Sequence, residues 1–152
     1  MIRRINGLSE SASIRPGQRL KIVTPDSVKI IVSKQDHTLM LFFDDRFVKQ
    51  FSVGLGKNDS TPVGTYKVSD KADSPDWYYN GERIPFGDKR NILGTRWLGF
   101  DMVCAGARIG IHGTRGRDGI GGNESMGCVR LVNEDVELLY DLTPVGATAI
   151  IR

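Results

Sequence analysis

The chain contains two cysteines and two histidines in 152 residues. No CxxC is present, nor the paired Cys/His spacing of a zinc site, so metal binding is not expected. No run of about twenty apolar residues occurs, which excludes an ordinary membrane-spanning helix. Met1-Ile2-Arg3-Arg4 leads into polar sequence and not into the apolar stretch of a secretory leader. Charge of one sign is scarce as well. The excess of 21 Lys and Arg over 18 Asp and Glu gives a formal net charge of +3, too little to imply a nucleic-acid partner without a clustered basic patch. Internal repeats and low-complexity tracts are absent.

What is abundant is glycine, with 18 residues, alongside 39% hydrophobic and 26% charged residues. That composition suits one well-buried, loop-rich globular domain with a small appendage. Apolar or alternating runs over residues 28–33, 38–43 and 47–53, separated by Gln35-Asp36-His37 and Asp44-Asp45-Arg46, predict an antiparallel meander. Further strands are expected at 64–68, 97–100, 108–112 and 147–151. Residues 69–94 are polar, aromatic and turn-rich, and read as a long surface excursion walling a cleft. One helix is expected over 133–142, with Asn133 as its cap, Glu134 and Asp135 in its first turn, and Val136, Leu139 and Tyr140 on one face. Before these, Pro16-Gly17 leads into an alternating strand at 19–23.

The densest chemical signal is IHGTRGRDGIGGNESMGCVRLVN, residues 111–133, which sets His112 sixteen residues before Cys128 in a glycine-rich frame. A cysteine attacks a carbonyl as its thiolate, and a free thiol with a pKa of about 8.5 needs an imidazole or positive dipole beside it. Gly113 lets the chain turn after His112, so that a backbone carbonyl can hold the Nδ1 proton and leave Nε2 facing the sulfur. Gly127 lets substrate approach the backbone closely, and amides around Gly127 and Cys128 suit a developing oxyanion.

At these residues the chain resembles the L,D-transpeptidase catalytic domain, the YkuD-type family. The matches are His112, Gly113 and Thr114, then Ser125, Gly127, Cys128, Val129 and Arg130, with Thr61-Pro62-Val63-Gly64-Thr65-Tyr66 and the segment from Asn91 through Trp97 to Gly99 upstream. The resemblance covers roughly residues 27–152. Two departures stand out. Met126 occupies a place where many members carry a second histidine, which makes His112 the base and gives Met126 a role in shape. Ile92 replaces a usual proline, which removes a rigid turn residue but no chemical group.

The resemblance implies a mainly β fold, sandwich-like with mixed sheets, with one helix after the cysteine motif and long surface loops, over residues 26–152. It implies a peptidoglycan L,D-transpeptidase in which Cys128, His112 and Gly113 are catalytic and Ser125, Met126, Gly127, Arg130 and Trp97 border substrate. Cys128 would form an acyl-enzyme on a stem tetrapeptide, releasing D-alanine, and pass it to an amine of a second stem. Peptidoglycan stem peptides are then the partners, carbapenem-type inhibitors are expected, and no cofactor is needed. Work on the wall implies an extracytoplasmic location and a natural amino terminus upstream of Met1. Residues 1–25 resemble the second half of a LysM module, a remnant or linker lacking the opening strand and helix of a glycan groove.

Each feature also has a structural reading. Arg130 serves either to brace the cysteine loop or to bind a substrate carboxylate. Ser125 suits a turn, and Trp97, Tyr78 and Tyr79 suit a core or a cleft wall. Cys104 reads as a small apolar residue packed beside Val103 and Ala105, with a Cys104–Cys128 disulfide or redox pair as the lesser alternative. His37 reads as an exposed turn residue. Competing functions are an L,D-carboxypeptidase using water and a non-catalytic wall-binding module.

Overall fold

The computed structural model describes residues 2–9, 11–104 and 106–152. A single helical turn, α1 (Ile2–Ile5), opens the chain. The meander follows as β1 (Val28–Ser33), β2 (Thr38–Phe43) and β3 (Arg46–Ser52). Period-two burial explains it: Val28, Ile30 and Val32 of β1 and Leu39 and Leu41 of β2 are buried, while their neighbours are part-exposed. Asp44 and Asp45 both take positive φ (48° and 61°), the backbone that a two-residue hairpin turn requires.

After these come β4 (Leu55–Gly56), a 3-10 turn (Lys57–Asp59), β5 (Gly64–Asp73), the small hairpin β6 (Trp77–Tyr79) and β7 (Glu82–Ile84), then β8 (Arg96–Cys104) and β9 (Ala107–His112). The chain ends with β10 (Asn123–Ser125), β11 (Val129–Arg130), α2 (Asn133–Leu142) and β12 (Thr148–Ile151). Eight strands form one mixed sheet in the order β11-β9-β8-β5-β12-β1-β2-β3. β12 pairs parallel with β1 and antiparallel with β5, so the last strand joins the meander to the half that carries the glycine-rich motif. Ile30, Leu41 and Ile151 share one core cluster with Leu98, Phe100, Ile111 and Leu131, and α2 adds Val136 and Leu139. The expected mainly β fold with a helix after the cysteine motif is therefore what forms, its layers drawn from one continuous sheet.

Three local expectations change. β5 continues through Asp73, paired with β8 as far as Arg96, and the excursion beyond it carries its own hairpin. The polar look of this stretch misleads because the strand's side chains work in ionic contacts. Lys71 Nζ donates to the carbonyls of Tyr140 and Thr143 at 2.6 and 2.7 Å and lies 4.0 Å from the Tyr140 ring centroid. Residues 19–23 do not form a strand. The Lys21 backbone is bonded instead by the Asn6 carboxamide, at 2.7 Å from its N–H and 2.8 Å to its carbonyl, and one side chain cannot propagate a ladder. Asn133 does not cap α2, whose N-cap is Val132 without a side-chain bond. Its Oδ1 accepts the Thr95 N–H at 3.1 Å, tying the loop before β8 to the helix start.

Leu98, fully buried beneath the glycine-rich half, is the test of this core. Leu98→Ala is expected to cost about 2–5 kcal/mol in urea unfolding, whereas Val103→Ala, at 64% exposure on the same strand, should stay within about 1 kcal/mol.

Candidate active site

Alternation along β9 decides which residues meet. Ile109 and Ile111 enter the core, so Arg108, Gly110 and His112 belong to the opposite face. β8 and β11 flank this strand. Their register sets Trp97 opposite His112 on one side and Arg130 beside it on the other. In the adjacent row Gly99 faces Gly110. Cys128 stands one residue ahead of β11, with its sulfur 3.8 Å from the Arg108 carbonyl and bonded by the Gly110 amide. The parallel ladder thus sets Cys128 beside Gly110, two residues before His112 along β9, although Cys128 and His112 are sixteen residues apart in sequence.

His112 is 2% exposed. Its Nδ1 lies 2.7 Å from the Gly113 carbonyl. A carbonyl only accepts, so the neutral ring carries its proton on Nδ1 and keeps its lone pair on Nε2. Burial pushes its pKa from 6.5 down to about 4. The Gly113 and Leu93 carbonyls oppose that shift, and the Arg130 guanidinium adds to it. Cys128 remains part-open to solvent at its surface, yet the protein packed around its sulfur pushes the thiol pKa up. The Gly110 amide and Arg130 favour the thiolate, with smaller effect. At neutral pH the resting pair is therefore an uncharged imidazole and an uncharged thiol.

The cysteine turn is built from Ser125, which is 1% exposed. Its hydroxyl donates to the Cys128 carbonyl at 2.6 Å and accepts the Gly127 N–H at 3.1 Å. Both of these contacts are internal to the turn, which is how Ser125 meets the site. They also engage the Gly127 amide, one of the donors anticipated for an oxyanion. Gly127 has φ of 131°, and a Cβ there would lie 3.1 Å from Ile109 and 3.2 Å from the Ser60 carbonyl. Beneath it, buried Thr61 accepts the Gly56 N–H at 2.7 Å. Lys34 Nζ holds that loop by donating to the Thr61 carbonyl at 2.6 Å and pairing with Asp59 at 2.5 Å. Met126 points outward beside the cysteine at 55% exposure.

Trp97 stacks on His112 with centroids 6.2 Å apart and planes inclined by 25°. Its indole N–H donates to Asp70 at 3.2 Å, and Asp70 also pairs with Arg108 and accepts from Ser69 at 2.9 Å. Gly99 and Gly110 make room for this assembly. A Cβ on Gly99 would meet Asp70 at 2.4 Å, and one on Gly110 would meet the Trp97 ring at 2.9 Å. Asp70, Arg108 and Lys34 were not identified from sequence, because each acts through a partner distant along the chain. The one available signal was the glycine pair itself, whose two members lie in strands that otherwise carry bulky residues.

Arg130 bonds Gly54 through its backbone, at 2.8 and 2.9 Å, and its buried Nε has no hydrogen-bond partner among the described residues. His37 is tied to Asn123 at 3.0 Å. Cys104 is a free thiol packed against the core, as is Cys128, while Ala105, its expected neighbour, lies outside the described residues. Tyr78 is 70% exposed on the β6–β7 hairpin, and Trp77 stacks on Tyr79 there at 4.8 Å. No cluster of three or more His, Cys, Asp or Glu suited to a metal ion occurs among the described residues. Nor is any described helix long and apolar enough to cross a membrane.

Fold and site together define a mainly β domain with a buried imidazole on β9 and a thiol just ahead of β11, the strand paired with it. Comparison with known proteins gives the family. Residues 27–151 match the L,D-transpeptidase catalytic domain, YkuD, and the chain belongs to that family. Bacillus subtilis YqjB, which bears the name of an L,D-transpeptidase, is 38% identical over 129 residues, covering 84% of this chain and 72% of its own. L,D-transpeptidase 3 from Mycobacterium tuberculosis, solved in complex with a faropenem-derived adduct, shares the fold with a TM-score of 0.64 at 20% identity. The L,D-transpeptidase LdtMt1, solved in complex with imipenem, does so with a TM-score of 0.64 at 18% identity. The matches cover 83% of this chain but 60% and 59% of those two chains.

The burial of His112 has a measurable consequence. In the unfolded chain this histidine takes up a proton below its ordinary pKa of 6.5, and in the folded protein only near 4. Its contribution to stability is therefore intact above about pH 6.5 and lost as pH falls through that window. A series of urea midpoints from pH 7 to pH 4 should show a loss on the order of 3 kcal/mol from this group, and His112→Gln should flatten that part of the curve.

Proposed function

We propose that the domain is a peptidoglycan L,D-transpeptidase in which Cys128 is the nucleophile and His112 the general base. The observation that carries this reading is the Gly113 carbonyl on Nδ1 of a buried, neutral His112, one strand away from Cys128. Cys128 Sγ attacks the amide carbonyl between the diamino-acid residue and the D-alanine of a stem tetrapeptide, while His112 Nε2 takes the thiol proton. The imidazolium then gives that proton to the departing D-alanine amine, leaving a thioester. The side-chain amine of a second stem attacks the thioester, His112 accepts its proton, and the thiol is regenerated as the new amide forms.

Because the resting pair is uncharged, deprotonation accompanies attack, so a misplaced base weakens the nucleophile directly. The Gly127 amide is held by Ser125, which leaves the Cys128 N–H as the backbone donor for the oxyanion. Arg130, with its free Nε and its field on both residues, supports the negative charge of substrate or intermediate. Met126 and Trp97 border the bound stem, Met126 at the rim and Trp97 through its stacking on His112. An extracytoplasmic site of action follows from a wall substrate. Residues 1–25 are read as a LysM-like appendage to this domain, with no glycan groove of its own.

Imipenem tests the assignment, since a β-lactam carbonyl acylates the same nucleophile without needing an acceptor. Intact mass and peptide mapping should find the adduct on Cys128 and none in Cys128→Ala, and His112→Ala should slow acylation by about 10²-fold or more. A folded, reduced protein that forms no adduct returns the chain to the wall-binding reading. Release of D-alanine from a tetrapeptide with and without an added amine then separates the transpeptidase from a carboxypeptidase.

A further inference from the structure

Next to Gly113 lies a cavity of about 110 Å³ lined by Phe86, Gly87, Asn91, Gly94, Thr95, Arg115 and Asn133. It abuts the site through glycine. Gly94 sits at φ of +64°, and a Cβ there would lie 2.5 Å from the Gly113 carbonyl carbon, the group that orients His112. Anything seated in the cavity is therefore placed on the Gly113 flank of the imidazole.

Its wall is mostly apolar, and the few polar groups in it are suited to an anion. The Thr95 hydroxyl is buried with no hydrogen-bond partner among the described residues, an arrangement that is costly unless something fills it. Arg115 stands at the rim, fixed by a bond from one guanidinium nitrogen to the Asp88 carbonyl at 2.6 Å, which uses one of its five N–H donors. Asn133 spends its carbonyl oxygen on the Thr95 N–H, leaving its amide nitrogen as a donor. The nearby Asp88 carboxylate is engaged by Arg90 at 3.0 Å. The lining itself contributes no acidic side chain, and Phe86 and the two glycines shield the interior.

We infer that this cavity is a subsite for a carboxylate of the acyl donor, with Arg115 and the Thr95 hydroxyl as its specificity-determining groups. The inference rests on the peptidoglycan reading above and deepens it. Where the diamino acid is diaminopimelate, two such groups flank the scissile amide, its side-chain carboxylate and the carboxy terminus. Anchoring either on the Gly113 flank helps to set the scissile amide over Cys128, a gain in positioning that costs no catalytic group.

Binding to the Cys128→Ala protein, measured by calorimetry, tests this without turnover. The ligands are a tetrapeptide with both carboxylates free, the same peptide amidated on the diamino acid, and the same peptide amidated at its carboxy terminus. Arg115→Gln and Thr95→Val should each weaken binding of the free peptide, Arg115→Gln by about ten- to a hundredfold, the range for a charge-assisted hydrogen bond. Arg115→Lys should recover part of the loss. One amidated peptide should bind weakly to the unsubstituted cavity and be indifferent to Arg115→Gln, which identifies the carboxylate concerned. Iodoacetamide, a neutral reagent, should alkylate Cys128 equally fast with and without Arg115→Gln. The subsite is overturned if the free peptide binds Arg115→Gln undiminished, or if both amidated peptides lose as much on that substitution as the free one. Failure of the transpeptidase reading would instead appear as an absence of imipenem adduct in the protein with its cysteine intact.

Discussion

The parallel pairing of β11 with β9 is the constraint on which the remainder of the site depends. Only two residues pair, Val129 with Ile111 and Arg130 with His112, yet this brings Cys128 to Gly110 and aligns Trp97, His112 and Arg130 in one row. Parallel neighbours cannot be joined by a tight turn. The chain between them must leave the sheet and return, and the glycines of residues 113–127 let it do so in a short span. Slipping β11 by one residue would send Arg130 to the face now occupied by Leu131 and detach the thiol from its histidine.

That fragile pairing is held from below. The Gly54 backbone bonds Arg130 in both directions, Thr61 secures Gly56, and Lys34 secures Thr61. Lys34, just beyond the first strand, is thus linked through Thr61 and the β4 backbone to the placement of the Cys128 turn. On the other flank, Asn133 ties the Gly94–Thr95 loop to α2 while Gly113 packs against its carboxamide oxygen. This edge of the sheet has little regular structure of its own and takes its rigidity from both sides.

Much of this was legible in the sequence. The bounds of β1, β2 and α2 follow from apolar period and flanking turn residues, and the expectation of a His112–Cys128 pair rests on thiol chemistry together with the glycine frame. What could not be read was long-range. Asp70, Arg108 and Trp97 meet only because β5, β8 and β9 are neighbours, and no local pattern encodes that adjacency. Asn133 misleads for a related reason: its composition and position suit a cap, but the Thr95 amide from a distant loop competes for the same oxygen. Residues 19–23 alternate as a strand should, and lack a backbone partner to make them one.

The uncharged state of the resting thiol bears on the cysteine's survival as well as on its reaction. Thiolates attack peroxides and adventitious electrophiles, and a sulfur that remains protonated does so slowly. Burial raises the Cys128 pKa and keeps His112 neutral, so the thiolate is scarce unless something draws the thiol proton away. A free thiol held in this state can persist without a disulfide partner to protect it.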